Sequence, residues 1–440
     1  MLPSAPDTDF PGGEICFSVS PGTAAVVRVL ERAGYPAYLV GGGLRDALLG
    51  RIPHDWDVAT AARPEDMLRV FREAGVRTVA TGLAHGTVTA LAAGEAVECT
   101  TYRVDGTYSD ARHPDAVTFA DRIGEDLARR DFTVNAMACR LPFPLRDGGV
   151  PASDVRLSLP FSSEEWVDLF GGREDLRRGV LRCVGDPDRR FGEDALRMLR
   201  AVRFCAQLGF SVTEDTKAAM YRCRDGLRQI SRERVAAELM RLLTYPCREA
   251  LLLMRETGLW PYVFGIGAAR ELPPVARLAE TEQLPAEVPL RLAHLCAEWG
   301  GNETLAVCRG LRLPRAVTER TVAAVEEMAL PFPCDDAALR QRMAQSRGVA
   351  EDAVRLCLVR GTLPGTDAWR EVLSRCQTIR ERRDALTVAE LAVNGRDVVS
   401  VCPGLCGPEI GQAMKSLLVH VWEHPEDNTR EVLLRLAQKR

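Results

Sequence analysis

At 440 residues, with 46% hydrophobic and 27% charged residues, the chain has the balance of a folded protein of several domains. A net charge of −4 excludes a polycation that holds nucleic acid by global attraction, so such binding must come from local basic surface. No run approaches the roughly 18 consecutive apolar residues of a membrane helix, and the opening MLPSAPDTDFPGGEICFSVS lacks the basic start and apolar core of a secretory leader; a cytoplasmic protein is expected.

Along the chain, AYLV (37–40), DVAT (57–60), GTVTAL (86–91) and AVECTTY (96–102) are β-branched or alternating, with glycines between them, and are expected strands. Residues 141–165, rich in Pro, Gly and Ser, read as a loop or insertion. From about 190 onward, EDALRMLRAVRFCAQL, RERVAAELMRLL and REVLLRLAQK carry apolar residues at i, i+3 and i+4, the mark of amphipathic helices. Proline-containing breaks near 246, 286, 331 and 403 divide this half. The expected fold class is α+β: a mixed sheet-and-helix head over 1–140, the loop 141–165, then all-α segments over 166–245, 246–330 and 331–440. The 14 cysteines are scattered, mostly in apolar runs as at Cys205 and Cys357. The tight pair Cys402 and Cys406 has no His or Cys at zinc spacing, so reduced thiols are expected.

The first chemical feature is LVGGGLRDALLGRIPHDWDVAT (39–60). A strand runs into Gly41, Gly42 and Gly43, and a short helix is expected from Leu44. Backbone without Cβ atoms at a helix N-terminus lets phosphate oxygens approach N–H donors. No Gly-Lys-Ser/Thr ending marks a P-loop, and no dinucleotide fingerprint fits. If 54–58 is a strand, Asp55 and Asp57 project from one face and Trp56 from the other. Two carboxylates on one face suit hard divalent cations and hence phosphoryl or nucleotidyl transfer. Glu98, on the strand-like AVECTTYR, is either a third carboxylate of the site or an outward polar residue.

Two arginine segments follow. In ARRDFTVNAMA (128–138), Arg129 and Arg130 are suited to gripping a triphosphate, while Asp131 or Asn135 could bond a ribose hydroxyl or buttress the loop. In GEDALRMLRAVRF (192–204), Leu196, Leu199 and Val202 form an apolar stripe, and Asp194 and Arg197 lie i and i+3 on another face, followed by Arg200 and Arg203. Residues 171–203 hold 9 Arg against 6 Asp plus Glu, a local net of +3. Cytosine and adenine both carry an amino donor beside a ring-nitrogen acceptor on their pairing edges. An Asp acceptor next to an Arg donor matches that edge, whereas uracil and guanine present a carbonyl where the Asp needs a donor. The alternative is a helix-stabilising Asp–Arg pair.

GGGLRDALLG with HDWDVAT, then RRDFTVNAMA, DLFGGREDL, EDALRMLRAVRF and RERVAAEL, in that order, resemble the class II tRNA nucleotidyltransferases, the CCA-adding enzymes and their bacterial poly(A) polymerase relatives. ELAVNGRDVV and GPEIGQAM extend the likeness weakly toward the C-terminus. The resemblance implies a nucleotidyltransferase head, a neck that selects the nucleotide, a helical body and a tRNA-binding tail. It implies Asp55 and Asp57 as the catalytic, Mg²⁺-binding carboxylates. Gly42, Arg45 and Arg130 would contact the nucleotide, Asp194 and Arg197 would be a protein template, and Arg200 and Arg203 would support the triphosphate or its helix. The implied partners are CTP, ATP and the tRNA acceptor arm, with no membrane and no obligate protein partner.

DGTYSDARHPDAVTFADRIGEDL (105–127) resembles the flexible loop of members that add the terminal A, which argues against a CC-only enzyme. His54-Asp55 is the sole His-Asp dipeptide, so no appended phosphohydrolase domain is expected. Residues 141–165 look longer than the family's usual link. The rivals are an A-adding enzyme or poly(A) polymerase, a non-catalytic RNA binder, and a kinase-like or cyclase-like enzyme sharing the head.

Overall fold

The computed structural model describes residues 15–105, 117–142, 157–161, 165–265, 273–331, 333, 335–346 and 348–439. Residues 106–116 of the loop expected at 105–127, and most of the insertion expected at 141–165, lie outside the described residues. Two compact units emerge: Met1–Leu242 with Leu253–Val263, and Leu243–Leu252 with Phe264–Arg440.

The first unit opens with β1 (Ile15–Val19), α1 (Pro21–Arg32), β2 (Ala37–Val40), α2 (Gly41–Leu48), β3 (Asp57–Thr60) and α3 (Pro64–Glu73). Next come β4 (Arg77–Gly82), β5 (Thr87–Ala92), β6 (Glu95–Thr101), β7 (Arg103–Asp105), β8 (Val117–Phe119) and α4 (Ile123–Ala128). Then follow β9 (Ala138–Arg140), β10 (Leu157–Phe161), β11 (Trp166–Val167), α5 (Gly172–Arg178) and β12 (Val180–Leu181). It closes with α6 (Pro187–Glu193), α7 (Leu196–Leu208), β13 (Ser211–Val212), α8 (Glu214–Cys223) and α9 (Arg232–Leu242).

A seven-stranded sheet of order β11-β9-β2-β3-β6-β5-β4 forms the frame; it is antiparallel except for the parallel β3–β6 pair. Ser20 caps α1 by accepting the Thr23 N–H at 3.4 Å, and Pro21 suits its first turn. The apolar stripe of α1, with Val26, Val27 and Leu30 fully buried, covers one sheet face together with α3. On β6, Val97, Cys99 and Thr101 are buried while Glu98 is exposed. That alternation leaves the opposite face free for polar chemistry.

Two expectations need correction here. The helix after the glycines starts at Gly41, so the triplet is its first turn. EDALRMLRAVRFCAQL is not one helix: Asp194 is extended (φ −146°, ψ 103°), and its Oδ1 accepts the Leu196 N–H at 3.0 Å, so it ends α6 and caps α7. The segment after α5 returns to the head by pairing, since Thr133 N–H donates to the Arg182 carbonyl and Val184 N–H to that of Asp131.

The second unit is helical throughout its described residues. One of its cores gathers Leu290, Ala324, Val325 and Leu356, a second Leu339, Val354, Val372 and Ile379, and a third Val398, Leu417, Val421 and Leu433. His294 is buried there and bonds the Arg277 carbonyl at 2.9 Å; burial brings its pKa down to about 4. The described cysteines are all free thiols. Burial pushes the thiols of Cys99, Cys139 and Cys183 up in pKa, while Cys16 and Cys406 are exposed. No helix among the described residues is long and apolar enough to cross a membrane.

Candidate active site

The glycine triplet brings backbone against the carboxylates. Gly41 has φ +74°, and a Cβ there would lie 3.0 Å from Asp57 Oδ2 and 3.2 Å from Arg130 Nη1. A Cβ on Gly43 would stand 2.5 Å from the Asp55 carbonyl oxygen and 3.3 Å from the Trp56 ring. Only glycine permits both approaches. The amino end of α2 thereby packs close to Asp57 and to the backbone of Asp55.

Asp57 is the first residue of β3 and is half-buried; Asp55 is exposed and lies before the strand rather than on it. The strand covers 57–60, as expected for DVAT, and does not extend back over 54–56. The loop is held instead by Trp56, which is buried and stacks on Phe17 with ring centroids 5.7 Å apart. Parallel pairing sets Asp57 opposite Glu98, so the Glu98 side chain rises on the same sheet face. Burial, with Asp55 and Glu98 adding to it, lifts the Asp57 pKa to about 6, although Arg130 pulls it down. A half-buried carboxylate repelled by two exposed ones forms a hard-oxygen set that a divalent cation would neutralise. Among the described residues no three or more His, Cys, Asp or Glu side chains converge as a ready-made metal cage.

Arg130 bridges inward: Nη2 donates to Asp126 Oδ2 at 3.2 Å and Nη1 to the Asn135 carbonyl at 3.3 Å. Arg129 takes the other oxygen of Asp126 through Nε and Nη2 at 2.9 and 2.8 Å. Burial would raise the Asp126 pKa, but the two guanidiniums outweigh it and hold the carboxyl below its ordinary range. A continuous chain of bonds links the two arginine segments to the glycine turn. Arg45 Nη1 donates to Asn135 Oδ1 at 2.8 Å, Asn135 Nδ2 to Asp131 Oδ1 at 3.2 Å, and Arg200 Nε to Asp131 Oδ2 at 2.7 Å. Despite full burial, Arg200 and Asn135 bring the Asp131 pKa down to about 2. Arg45, Arg200 and Arg203 all stack around the Phe204 ring, at 5.2, 5.3 and 4.1 Å from its centroid. Arg203 also pairs with Glu238 of α9 at 2.6 Å. Arg45 and Arg203 are buried, so the structure places them in the wall of the site.

The side chains of Asp194 and Arg197 each make bonds elsewhere, and the Arg197 N–H donates to the Asp194 carbonyl at 3.0 Å. Asp194 Oδ2 accepts from Arg234 Nη2 at 2.8 Å. Arg197 Nη1 donates to Glu193 Oε2 at 2.7 Å and to the Arg190 carbonyl at 3.1 Å, while Nη2 donates to the Arg129 carbonyl at 3.1 Å. These bonds go beyond a simple i, i+3 ion pair. Sequence reasoning passed over Asp126, Glu193 and Arg234. The first two had a signal, an acid four residues before Arg130 and Arg197 respectively. Arg234, forty residues from Asp194, had none.

Residues 37–182 match the family model described as the Poly A polymerase head domain, and residues 209–269 the one described as the probable RNA and SrmB-binding site of polymerase A. The chain is 36% identical to a CCA-adding enzyme of Geobacillus stearothermophilus over 92% of its own length and 93% of the relative's. The chain belongs to the CCA-adding enzyme family. A second member, from Geobacillus kaustophilus, is 35% identical with the same two coverages. The crystal structure of the Bacillus stearothermophilus CCA-adding enzyme in complex with CTP superposes with a TM-score of 0.72 at 32% identity, covering 95% of this chain and 96% of that one. Membership of this family makes the chain a nucleotidyltransferase, of a kind that is generally metal-dependent.

Proposed function

We propose that this family member adds C, C and A to the 3′ end of tRNA, using CTP and ATP and releasing pyrophosphate, in the cytoplasm. The observation that carries the reading is the Asp57 carboxyl, half-buried against the glycine turn, with Asp55 beside it and Arg130 on its flank.

Asp55 and Asp57 would hold a divalent cation, Mg²⁺ by their hard oxygen donors, with Glu98 behind them on the same face. When bound, that ion supplies charge neutralisation at the reacting phosphate and lowers the cost of ionising the attacking hydroxyl. The N–H groups of the glycine turn, Gly42 among them, face the phosphates, and Arg130 adds positive charge to the same space. Arg45, Arg200 and Arg203 set the electrostatic wall behind them. The tRNA 3′-hydroxyl attacks the α-phosphorus while pyrophosphate leaves. Asp194, kept an acceptor by Arg234, and Arg197, kept a donor by its fixed bonds, meet the pairing edge of C or A. Residues 166–245 act as the neck, 246–330 as the body and 331–440 as the tRNA-binding tail.

The test is incorporation of each labelled nucleoside triphosphate into tRNA that ends at the discriminator base, with Mg²⁺ present. Ordered C, C, then A addition is expected, and Asp55→Ala is expected to abolish it with the circular dichroism spectrum unchanged. A alone, added only to tRNA ending in C-C, would replace the reading with an A-adding enzyme. Long A tails on unrelated RNAs would replace it with a poly(A) polymerase.

A further inference from the structure

We propose that Arg190 is a specificity-positioning residue, which sets the angle of the Arg197 guanidinium through the shared carboxylate of Glu193. This rests on the reading of Arg197 as a base-edge donor.

The side chain of Arg190 is buried and bonded on two sides. Nη1 donates to the Ala128 carbonyl at 3.1 Å, and Nη2 to Glu193 Oε1 at 2.8 Å. Glu193 offers its other oxygen, Oε2, to Arg197 at 2.7 Å. The Arg190 carbonyl is itself a second acceptor for Arg197, and the Arg129 carbonyl, one residue on from Ala128, is the third. Thus these three acceptors of Arg197 belong to Glu193, to Arg190 itself and to the backbone next to Ala128, which Arg190 ties down. A carboxylate with one oxygen fixed has little freedom to turn the other, so the planar fork of Arg197 is pinned in one orientation.

Arg190 does not read the base itself. Its side chain lines a cleft of about 410 Å³ with Arg129, Phe170, Asp186 and Arg189, whose lining includes neither Asp194 nor Arg197. The arrangement also favours arginine over lysine. The ammonium of a lysine could satisfy Glu193, yet it could not reach Glu193 and the Ala128 carbonyl with one rigid fork. Discrimination by hydrogen-bond geometry is sensitive to such support, because small misplacements cost large factors in rate.

The experiment measures kcat and KM for CTP and UTP on tRNA lacking C-C-A, with the thermal midpoint of each variant. Arg190→Gln is expected to lower the CTP-over-UTP ratio of kcat/KM by about tenfold or more, chiefly through KM for CTP. Its midpoint should stay within a few degrees of the parent's. Arg190→Lys should recover part of the ratio. If Gln slows both nucleotides equally and leaves the ratio unchanged, Arg190 is only a structural tie and the proposal falls. Arg197→Ala is the control: an unchanged ratio there overturns the base-reading role itself, and this inference with it. Should Arg190→Gln not fold, Arg190→Lys carries the comparison: a lowered CTP-over-UTP ratio supports the proposal, and a ratio equal to the parent's overturns it.

Discussion

The chemistry turns on a few interatomic gaps too small for one more carbon. Gly43→Ala would put a methyl 2.5 Å from the Asp55 carbonyl oxygen, so the loop carrying Asp55 has to move. Nucleotide incorporation is expected to fall by about 10²-fold, while the chain stays folded, as checked by single-turnover kinetics beside circular dichroism. Gly34→Ala is the control, because a Cβ there meets nothing within 4 Å, although its φ of +85° makes it strain the backbone. Part of this arrangement was readable from spacing: Asp55 and Asp57 are near-neighbours in the chain, whereas Glu98 stood open between a site carboxylate and an outward polar residue until the parallel register set it opposite Asp57. What could not be read was which groups saturate one another. Arg45 meets Asn135 across 90 residues, and Arg234 meets Asp194 across 40, and only the packed chain brings such pairs together.

Strand positions were the most legible elements, because AYLV and DVAT combine β-branched residues with clear punctuation and appear at 37–40 and 57–60. The helix carrying Asp194 was misread because its apolar stripe runs on while the backbone does not: periodicity reports which side chains are buried, not whether each N–H finds an i−4 carbonyl. Here the Asp194 carboxylate supplies the missing acceptor for α7. Downstream, α7 and α9 are fastened by Arg203 and Glu238, whose side chains are 8% and 9% exposed. Burial works against the Arg203 charge and lowers its pKa, with Glu238 opposing that. Glu238→Ala leaves a guanidinium buried without its counter-charge, and is expected to cost about 3–5 kcal/mol in urea unfolding. Arg203→Met with Glu238→Leu should regain most of that loss, since two apolar side chains fill the gap without desolvating a charge.

At the scale of the molecule, two units with separate cores need not respond alike to acid. His294 in the second unit has a folded pKa of about 4 against the ordinary histidine value of 6.5, so the unfolded chain binds the proton more readily. Its contribution is fully present above pH 6.5 and is lost as pH falls toward 4, a loss of about 3 kcal/mol in full. Asp131 in the first unit, depressed to about 2 from 3.8, keeps its contribution until pH falls below 3.8 and loses it on the way to 2. The second unit is therefore expected to give way first on acidification, within the window from pH 6.5 to 4. Hydrogen exchange followed by mass spectrometry at pH 7, 5.5 and 4.5 would show it as faster exchange in 288–296 than in 196–208. His294→Gln, which keeps a donor toward the Arg277 carbonyl, should remove the pH dependence of that difference.

The distribution of reactive sulfur has a practical use. Maleimides need a thiol within reach of solvent, and among the described cysteines Cys16 and Cys406 are the exposed ones, one in each unit. The thiols nearest the carboxylates, Cys99 among them, are sealed in the sheet and should stay unmodified under mild labelling. Among the described cysteines, these two offer attachment points for a donor and an acceptor fluorophore. Energy transfer between them would report any change in the distance between the two labelled thiols during nucleotide addition.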